Sequence, residues 1–397
     1  MSKAYIVNTG IITAIGDNTV ECFAALKQKR TGVGKAEYLQ TFWKDELPVA
    51  EVKKSNDELA KLTGVDISWP RTALLSAVAV QEAVAPFAEQ LKNFRVGFFS
   101  ANTVGGMDLT ENVYKSFTDN AADVDFRNIA NHECGAITEL VADRFGISDF
   151  VTTISTACSS SANSIMMAAQ MIENGMLDVA VAGGADSMSK FTLNGFNTLM
   201  ILDKQPCQPF DNNRRGLNLG EGAGYVLLMN EEAMSRCNAK GICTVSGYAN
   251  ANDAYHQTAS SPEGTGNKLA MSNALKQAGL QPSDIDYINL HGTGTENNDS
   301  SEGKAVQVIF AGAIPKSSST KGYTGHTLGA AGGVEAVFGT LSIANGIVFP
   351  NLRWQTQMED INWSVVTELE EGLEIKHVLS NSFGFGGNCS TLVLSKC

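Results

Sequence analysis

The stretch Val151–Asp186, VTTISTACSSSANSIMMAAQMIENGMLDVAVAGGAD, leaves this chain few ways to fold. Val151–Ser155 is short and β-branched, Ala157-Cys158-Ser159-Ser160 is small and polar, and Asn163–Asn174 runs apolar at helical spacing to a stop at Gly175. Leu177–Ala182 follows as a buried strand that ends in Gly183-Gly184-Ala185-Asp186. Strand, tight elbow, buried helix and strand together call for an α/β architecture. A cysteine at the elbow meets the unpaired N–H groups and positive dipole end of the helix, which favour a thiolate, and its small neighbours let a substrate approach. Cys158 is therefore placed to be a nucleophile. The alternative is a small buried hydrophobe, since no base adjoins it in sequence.

The remaining elements fall into two similar series. Tyr5–Asn8 and Gly10–Ala14 read as a first strand, Val20–Lys29 as an amphipathic helix, and Gly32–Pro70 as loops and short helices. A helix over Arg71–Leu91, a strand over Arg95–Ser100 and a mainly helical region over residues 107–147 lead to the Cys158 unit. From Cys243 the order begins again: strand Thr244–Tyr248, helix Asn267–Gly279, strand Tyr287–Leu290, helix Gly329–Asn345, and strands near His377–Ser380 and Thr391–Leu394. Without a repeat of the residues themselves, this predicts two α/β halves, 1–242 and 243–397, stacked as layers of helix and sheet.

Composition narrows the functional classes. At 397 residues and 43% hydrophobic content the chain can bury a large core. Its N-terminal segment enters a strand pattern at once, and no apolar run approaches membrane-spanning length, so a cytoplasmic protein is expected. Eight cysteines without a C-x-x-C pair read as free thiols, neither a disulfide framework nor a metal site. A net charge of −13 argues against broad nucleic-acid affinity.

Two of the five histidines stand apart. His291 directly follows the strand Tyr287–Leu290, in HGTGTENND, and so emerges at a strand's carboxyl end, where α/β proteins place ligands. His326 lies in KGYTGHTLGAAGG, a small-residue loop just before a helix. Both are read as functional, and His132, His256 and His377 as structural.

With these residues in view, the chain resembles the elongating, decarboxylating β-ketoacyl-acyl-carrier-protein synthases of the thiolase superfamily. The motifs that carry the likeness span nearly the whole chain: TACSSS at Cys158, GEGAG at 220–224, HGTGT at 291–295, KGYTGHTLGAAGG at 321–333 and NSFGFGG at 381–387. The resemblance implies a thiolase-like fold with duplicated halves in an α-β-α-β-α arrangement, a dimer, and neither cofactor nor metal. It implies that Cys158 takes an acyl group from acyl carrier protein, with the backbone N–H groups of Cys158 and Phe385 as oxyanion hole. His291 and His326 would then hold the thioester carbonyl of malonyl carrier protein as carbon dioxide leaves. Lys321 and Glu302 match further family positions and are expected to pair and orient the histidine loops. Phe385 matches a gating phenylalanine. Phe383, beside it, is either part of the gate or core packing.

Several positions depart from the family pattern. Glu296 and Asn297 follow HGTGT where a proline is expected, Asn388-Cys389 replaces Thr-Asn after FGFGG, and Arg215 and Leu217 stand where Asp and Phe are usual. These departures point to a specialised polyene-type or polyketide-type substrate over housekeeping fatty-acid elongation. Because carrier proteins of this family are acidic, docking calls for a local basic cluster, with Arg214 and Arg215 as candidates and Lys53 and Lys54 behind them. A thiolase using Cys389 as second cysteine and a chain-length-factor-like partner subunit are the competing readings. The expected assembly is a homodimer, or a heterodimer with a chain-length-factor-like paralogue.

Overall fold

In the computed structural model, which describes residues 2–120, 126–311 and 313–397, ten strands join in one sheet system. They are β1 (Tyr5–Thr13), β2 (Val96–Ala101), β3 (Phe150–Ile154), β4 (Val179–Asp186), β5 (Gly222–Met229), β6 (Cys243–Asn252), β7 (Tyr287–Asn289), β8 (Lys316–Ser318), β9 (His377–Gly384) and β10 (Asn388–Lys396). Their order, β3-β2-β4-β5-β1-β6-β10-β9-β7-β8, is one five-strand pattern written twice. In each half the second strand runs parallel to the third and fourth, and the fourth, fifth and first are antiparallel neighbours. The halves meet where β1 pairs with β6 through only Tyr5–Thr244 and Ile6–Cys243.

The helices occupy matching places. The helix Arg71–Val84 packs on β1, β5 and β4 on one outer face, and Thr265–Ala278 packs on β6 and β10 on the other. Between the sheets lie Ser160–Glu173 and Ala331–Asn345, touching each other and strands of both halves. Because both central helices are enclosed by sheet, they are built of small and apolar residues with almost no solvent-facing side. Ala162, Ile165 and Ala169 pack into one core with Val334, Val337 and Phe338. The sequence expectation of a layered α-β-α-β-α fold is met.

Differences from the expected elements have local causes. The helix over Arg71–Leu91 stops at Val84 because Pro86 interrupts it, and a 3-10 turn leads into the short helix Ala88–Leu91. The region 107–147 contains helices Met107–Asp119 and Cys134–Phe145, and residues 121–125 lie outside the described part. The helices Lys190–Thr198 and Glu296–Ile309 were not anticipated; the second is polar enough to resemble a loop.

Candidate active site

The duplicated topology brings equivalent loops of the two halves together. Cys158 precedes the central helix of the first half, and His326 precedes that of the second. A hydrogen bond from Gly333 N to Ser161 Oγ, 2.8 Å, pins the two helix starts to each other. Across this junction His326 Nε2 stands 3.0 Å from Cys158 Sγ. His291 follows β7, and its ring packs edge-on against that of His326 with centroids 5.3 Å apart. All three side chains are buried, and their donor atoms lie within 4.8 Å of one another.

Local geometry holds each member. Ala157 adopts φ +53°, a left-handed conformation unusual for a residue with a Cβ, and this turns the chain sharply at the elbow. Ser159 Oγ donates to Thr156 O at 2.8 Å, and Thr156 N donates to Ser160 Oγ at 2.8 Å, closing the turn from within. His326 is fixed by its backbone: His326 N donates to Asn218 O at 2.8 Å and Gly220 N donates to His326 O at 2.9 Å. Gly220 is required here because a Cβ would sit 2.1 Å from Thr324 O. The glycine-rich loop before β5 thus serves as the seat of a histidine.

The expected pairing of Lys321 with Glu302 is corrected by the structure. Lys321 Nζ instead donates to Glu335 on the central helix, to His291 O at 2.5 Å, and lies 3.3 Å from His291 Nδ1. Glu302 accepts His291 N at 2.9 Å, Gly292 N at 2.8 Å and Asn381 Nδ2 at 3.0 Å, so it grips the histidine loop by its backbone. Burial pushes the Glu302 and Glu335 carboxyls up to about 7. Burial first, then the Lys321 charge, holds both imidazoles well below their ordinary value, so they are neutral at pH 7.

The thiolate expectation is also revised. Burial pushes the Cys158 thiol up to about 11, and the Lys321 charge and the backbone N–H groups of Phe385 and Cys158 only partly offset it. At pH 7 the elbow sulfur is a thiol beside a neutral imidazole.

Cys158 opens onto two cavities. One, of about 390 Å³, has a mixed lining, with His291, His326, Thr293, Ser260 and Arg215 beside Met200, Ile201 and Leu217. The other, of about 380 Å³, is apolar, with Val104, Phe191, Leu199, Leu328 and Gly329 in its wall. Phe385 and Phe196 border both, their rings stacked with centroids 5.8 Å apart. Phe383 is buried and its ring lies 6.2 Å from that of His291, so it packs at the site's edge.

Of the docking candidates, Arg214 is withdrawn. Its side chain is 7% exposed and is spent on the carbonyls of Asp211, Thr295 and Glu296, with Asp299 at 3.9 Å. Arg215 is 61% exposed and pairs with Asp203 at 3.2 Å. Lys53 and Lys54 are tied to Glu37 and Asp17. His132 and His377 bond Thr110 and Ser395, and His256 contacts Thr258 on an exposed loop. Cys389 lies in β10 with its Sγ 3.2 Å from Asn267 Oδ1, outside the triad.

Sequence reading missed Glu335, Asn381 and Asp186. Asp186 is fully buried at the end of β4 and its carboxylate accepts Thr103 N, Thr103 Oγ1, Val104 N and Gly329 N at 2.7–3.1 Å. It thereby ties together two loops that wall the apolar cavity. The only sequence signal was an acidic residue closing an otherwise apolar strand.

Comparison with known proteins agrees with this geometry. The chain matches the β-ketoacyl synthase N-terminal domain over residues 3–233 and the C-terminal domain over 242–355. It is 33% identical over 331 residues to the 3-oxoacyl-[acyl-carrier-protein] synthase 2 of Staphylococcus aureus (strain COL), covering 80% of this chain and 79% of that one. Among solved structures it superposes on the ishigamide ketosynthase/chain length factor with a TM-score of 0.94 at 26% identity, covering 100% of this chain and 99% of that one. The ketosynthase ApeO in complex with its chain length factor ApeC, from Xenorhabdus doucetiae, gives 0.85 at 30% identity, covering 100% and 98%. A cysteine elbow facing two neutral histidines across a duplicated fold, matched along both halves, makes this chain a member of the β-ketoacyl synthase family, acyltransferases that form carbon–carbon bonds.

Proposed function

We propose that the chain condenses a Cys158-bound acyl group with malonyl carrier protein, and that the residues divide the work as follows. In loading, the Cys158 sulfur attacks the acyl thioester on the carrier's prosthetic arm, and its proton passes through His326 Nε2 to the departing arm thiolate. The N–H groups of Cys158 and Phe385 hold the tetrahedral oxyanion. In extension, the malonyl C–C bond breaks, carbon dioxide leaves, and His291 and His326 hold the enolate oxygen. The enolate carbon then attacks the acyl-cysteine carbonyl and expels the Cys158 thiolate, giving a β-ketoacyl chain two carbons longer.

The observation that carries this reading is the 3.0 Å approach of His326 Nε2 to Cys158 Sγ with a second neutral imidazole beside it. Lys321 acts as a positioning residue. Nζ facing Nδ1 of His291 makes that nitrogen the acceptor, which leaves the N–H on Nε2. The cavity that holds the histidines takes the prosthetic arm and the apolar cavity takes the growing chain, with Phe385 between them.

Two solved relatives are ketosynthases paired with a chain length factor, which supports a heterodimer with a chain-length-factor-like paralogue in specialised polyene or polyketide assembly as the alternative to a homodimer in fatty-acid elongation. The setting is cytoplasmic on either reading; among the described residues no helix is long and apolar enough to cross a membrane. The test supplies acyl and malonyl carrier proteins and follows labelled carbon dioxide with the product mass. Stoichiometric carbon dioxide release with a two-carbon-longer β-keto product is expected. Condensation without carbon dioxide release would replace this reading with a thiolase.

A further inference from the structure

The cavity that holds the two histidines has one feature that the condensation chemistry does not use. Among the described residues lining it, Arg215 is the one basic side chain besides the two histidines. The imidazoles lie at the closed end with Cys158, each almost wholly buried, whereas Arg215 is 61% exposed and therefore stands at the mouth. The chain between them is drawn out: Leu217 and Leu219 make isolated bridges, the second to His326. The exposed guanidinium and the buried sulfur thus line one cavity at different depths.

Arg215 is also held in place. One of its terminal nitrogens meets Asp203 Oδ1 at 3.2 Å, and Asp203 is buried, with Oδ1 also accepting Gln205 N at 2.9 Å and its own N–H donating to Leu217 O at 2.9 Å. A guanidinium has five N–H groups in a planar fork, so this anchor leaves donors for a second anion. The hydroxyl-bearing Thr258 and Ser260 line the same cavity. Against the chain's net charge of −13 and Glu296 on the same wall, Arg215 is the cation this cavity offers an anion.

We propose that Arg215 forms an anion subsite for the phosphodiester of the prosthetic arm that carries the acyl and malonyl groups, a role that rests on the condensing function above. On such an arm the thioester and the phosphate are at opposite ends. A thioester at Cys158 puts the phosphate toward the mouth, where an arginine fork pairs with it through charge-assisted hydrogen bonds. Arg215 thus reads the arm at the cavity mouth and not the carrier protein's acidic surface.

The experiment compares two small thioesters that differ only in the phosphate, acyl-S-phosphopantetheine and acyl-S-pantetheine. Loading of the full chain is followed by intact mass as kcat/KM. The wild type is expected to prefer the phosphorylated thioester by roughly tenfold, the size of one charge-assisted hydrogen bond. Arg215→Ala should bring the ratio close to one, and Arg215→Lys should restore part of it. Equal preference in wild type and Arg215→Ala, or none in the wild type, overturns the subsite. Loss of rate only with whole carrier protein assigns Arg215 to protein docking and likewise overturns it. No acyl mass on the wild type from any thioester overturns the condensing reading, and this proposal with it.

Discussion

Replacing Lys321 by methionine tests how the histidine pair is kept in order. Lys321 and Glu335 are both almost wholly buried, and Glu335 Oε2 has no hydrogen-bond partner, so the carboxylate depends on this one cation. Breaking a buried pair from one side costs roughly 3–5 kcal/mol, whereas replacing both partners with apolar residues is close to neutral. The cost should depend on pH. Glu335 already has its folded value raised from 4.5 to about 7, so folding takes up its proton and the associated stability is lost as pH rises through that window. Without Lys321 the folded value moves higher still. Above pH 7 the variant then keeps losing stability, by up to about 1.4 kcal/mol per pH unit, after the wild type has levelled off. Urea unfolding of wild type, Lys321→Met and the double variant Lys321→Met/Glu335→Leu at pH 6 and 8.5 measures this. The single variant's penalty should grow with pH, and the double variant should recover most of it yet condense poorly, because His291 has lost the donor at Nδ1. A penalty that is the same at both pH values, or a double variant no more stable than the single, would refute the reasoning.

Three further outcomes follow from the same geometry. Glu302→Gln offers one carbonyl oxygen where two carboxylate oxygens serve His291 N and Gly292 N, so it should cost about 1–3 kcal/mol by unfolding and lower kcat more than it raises KM. Asp186→Asn loses acceptors for the Thr103–Val104 and Gly329 backbones, and should broaden the range of acyl lengths loaded onto Cys158 in a mixed-substrate assay while the malonyl KM holds. Because Cys158 is pushed up to about 11, its alkylation by iodoacetamide should climb through pH 9 without a plateau; a plateau below pH 7 would show a resting thiolate.

The triad was legible because each member sits at a glycine- or serine-rich element end, where short side chains announce that the backbone turns and a ligand can approach. The duplication was legible in element order, since both halves need the same alternation of strands and buried helices. Partners were not. Glu335 lies within the apolar helix Ala331–Asn345, and its place beside Lys321 is set only when the fold brings that helix against the histidine loops. Arg214 and Arg215 are adjacent in sequence, yet one spends its charge on carbonyls far along the chain and the other faces solvent. The thiol's state turned on enclosure: the helix start favours the anion, but burial on all sides outweighs it.

The central claim is that Cys158 carries the chain while His326 serves it, and acyl-site mapping tests that most directly. Wild type, Cys158→Ala and His326→Ala proteins are incubated with acyl carrier protein, digested, and the acylated peptide is sequenced by mass spectrometry. The account predicts an acyl group on Cys158 alone, none in Cys158→Ala, and loading slowed on the order of a hundredfold in His326→Ala. An acyl group on Cys389 or another residue, or loading undiminished in Cys158→Ala, would contradict it.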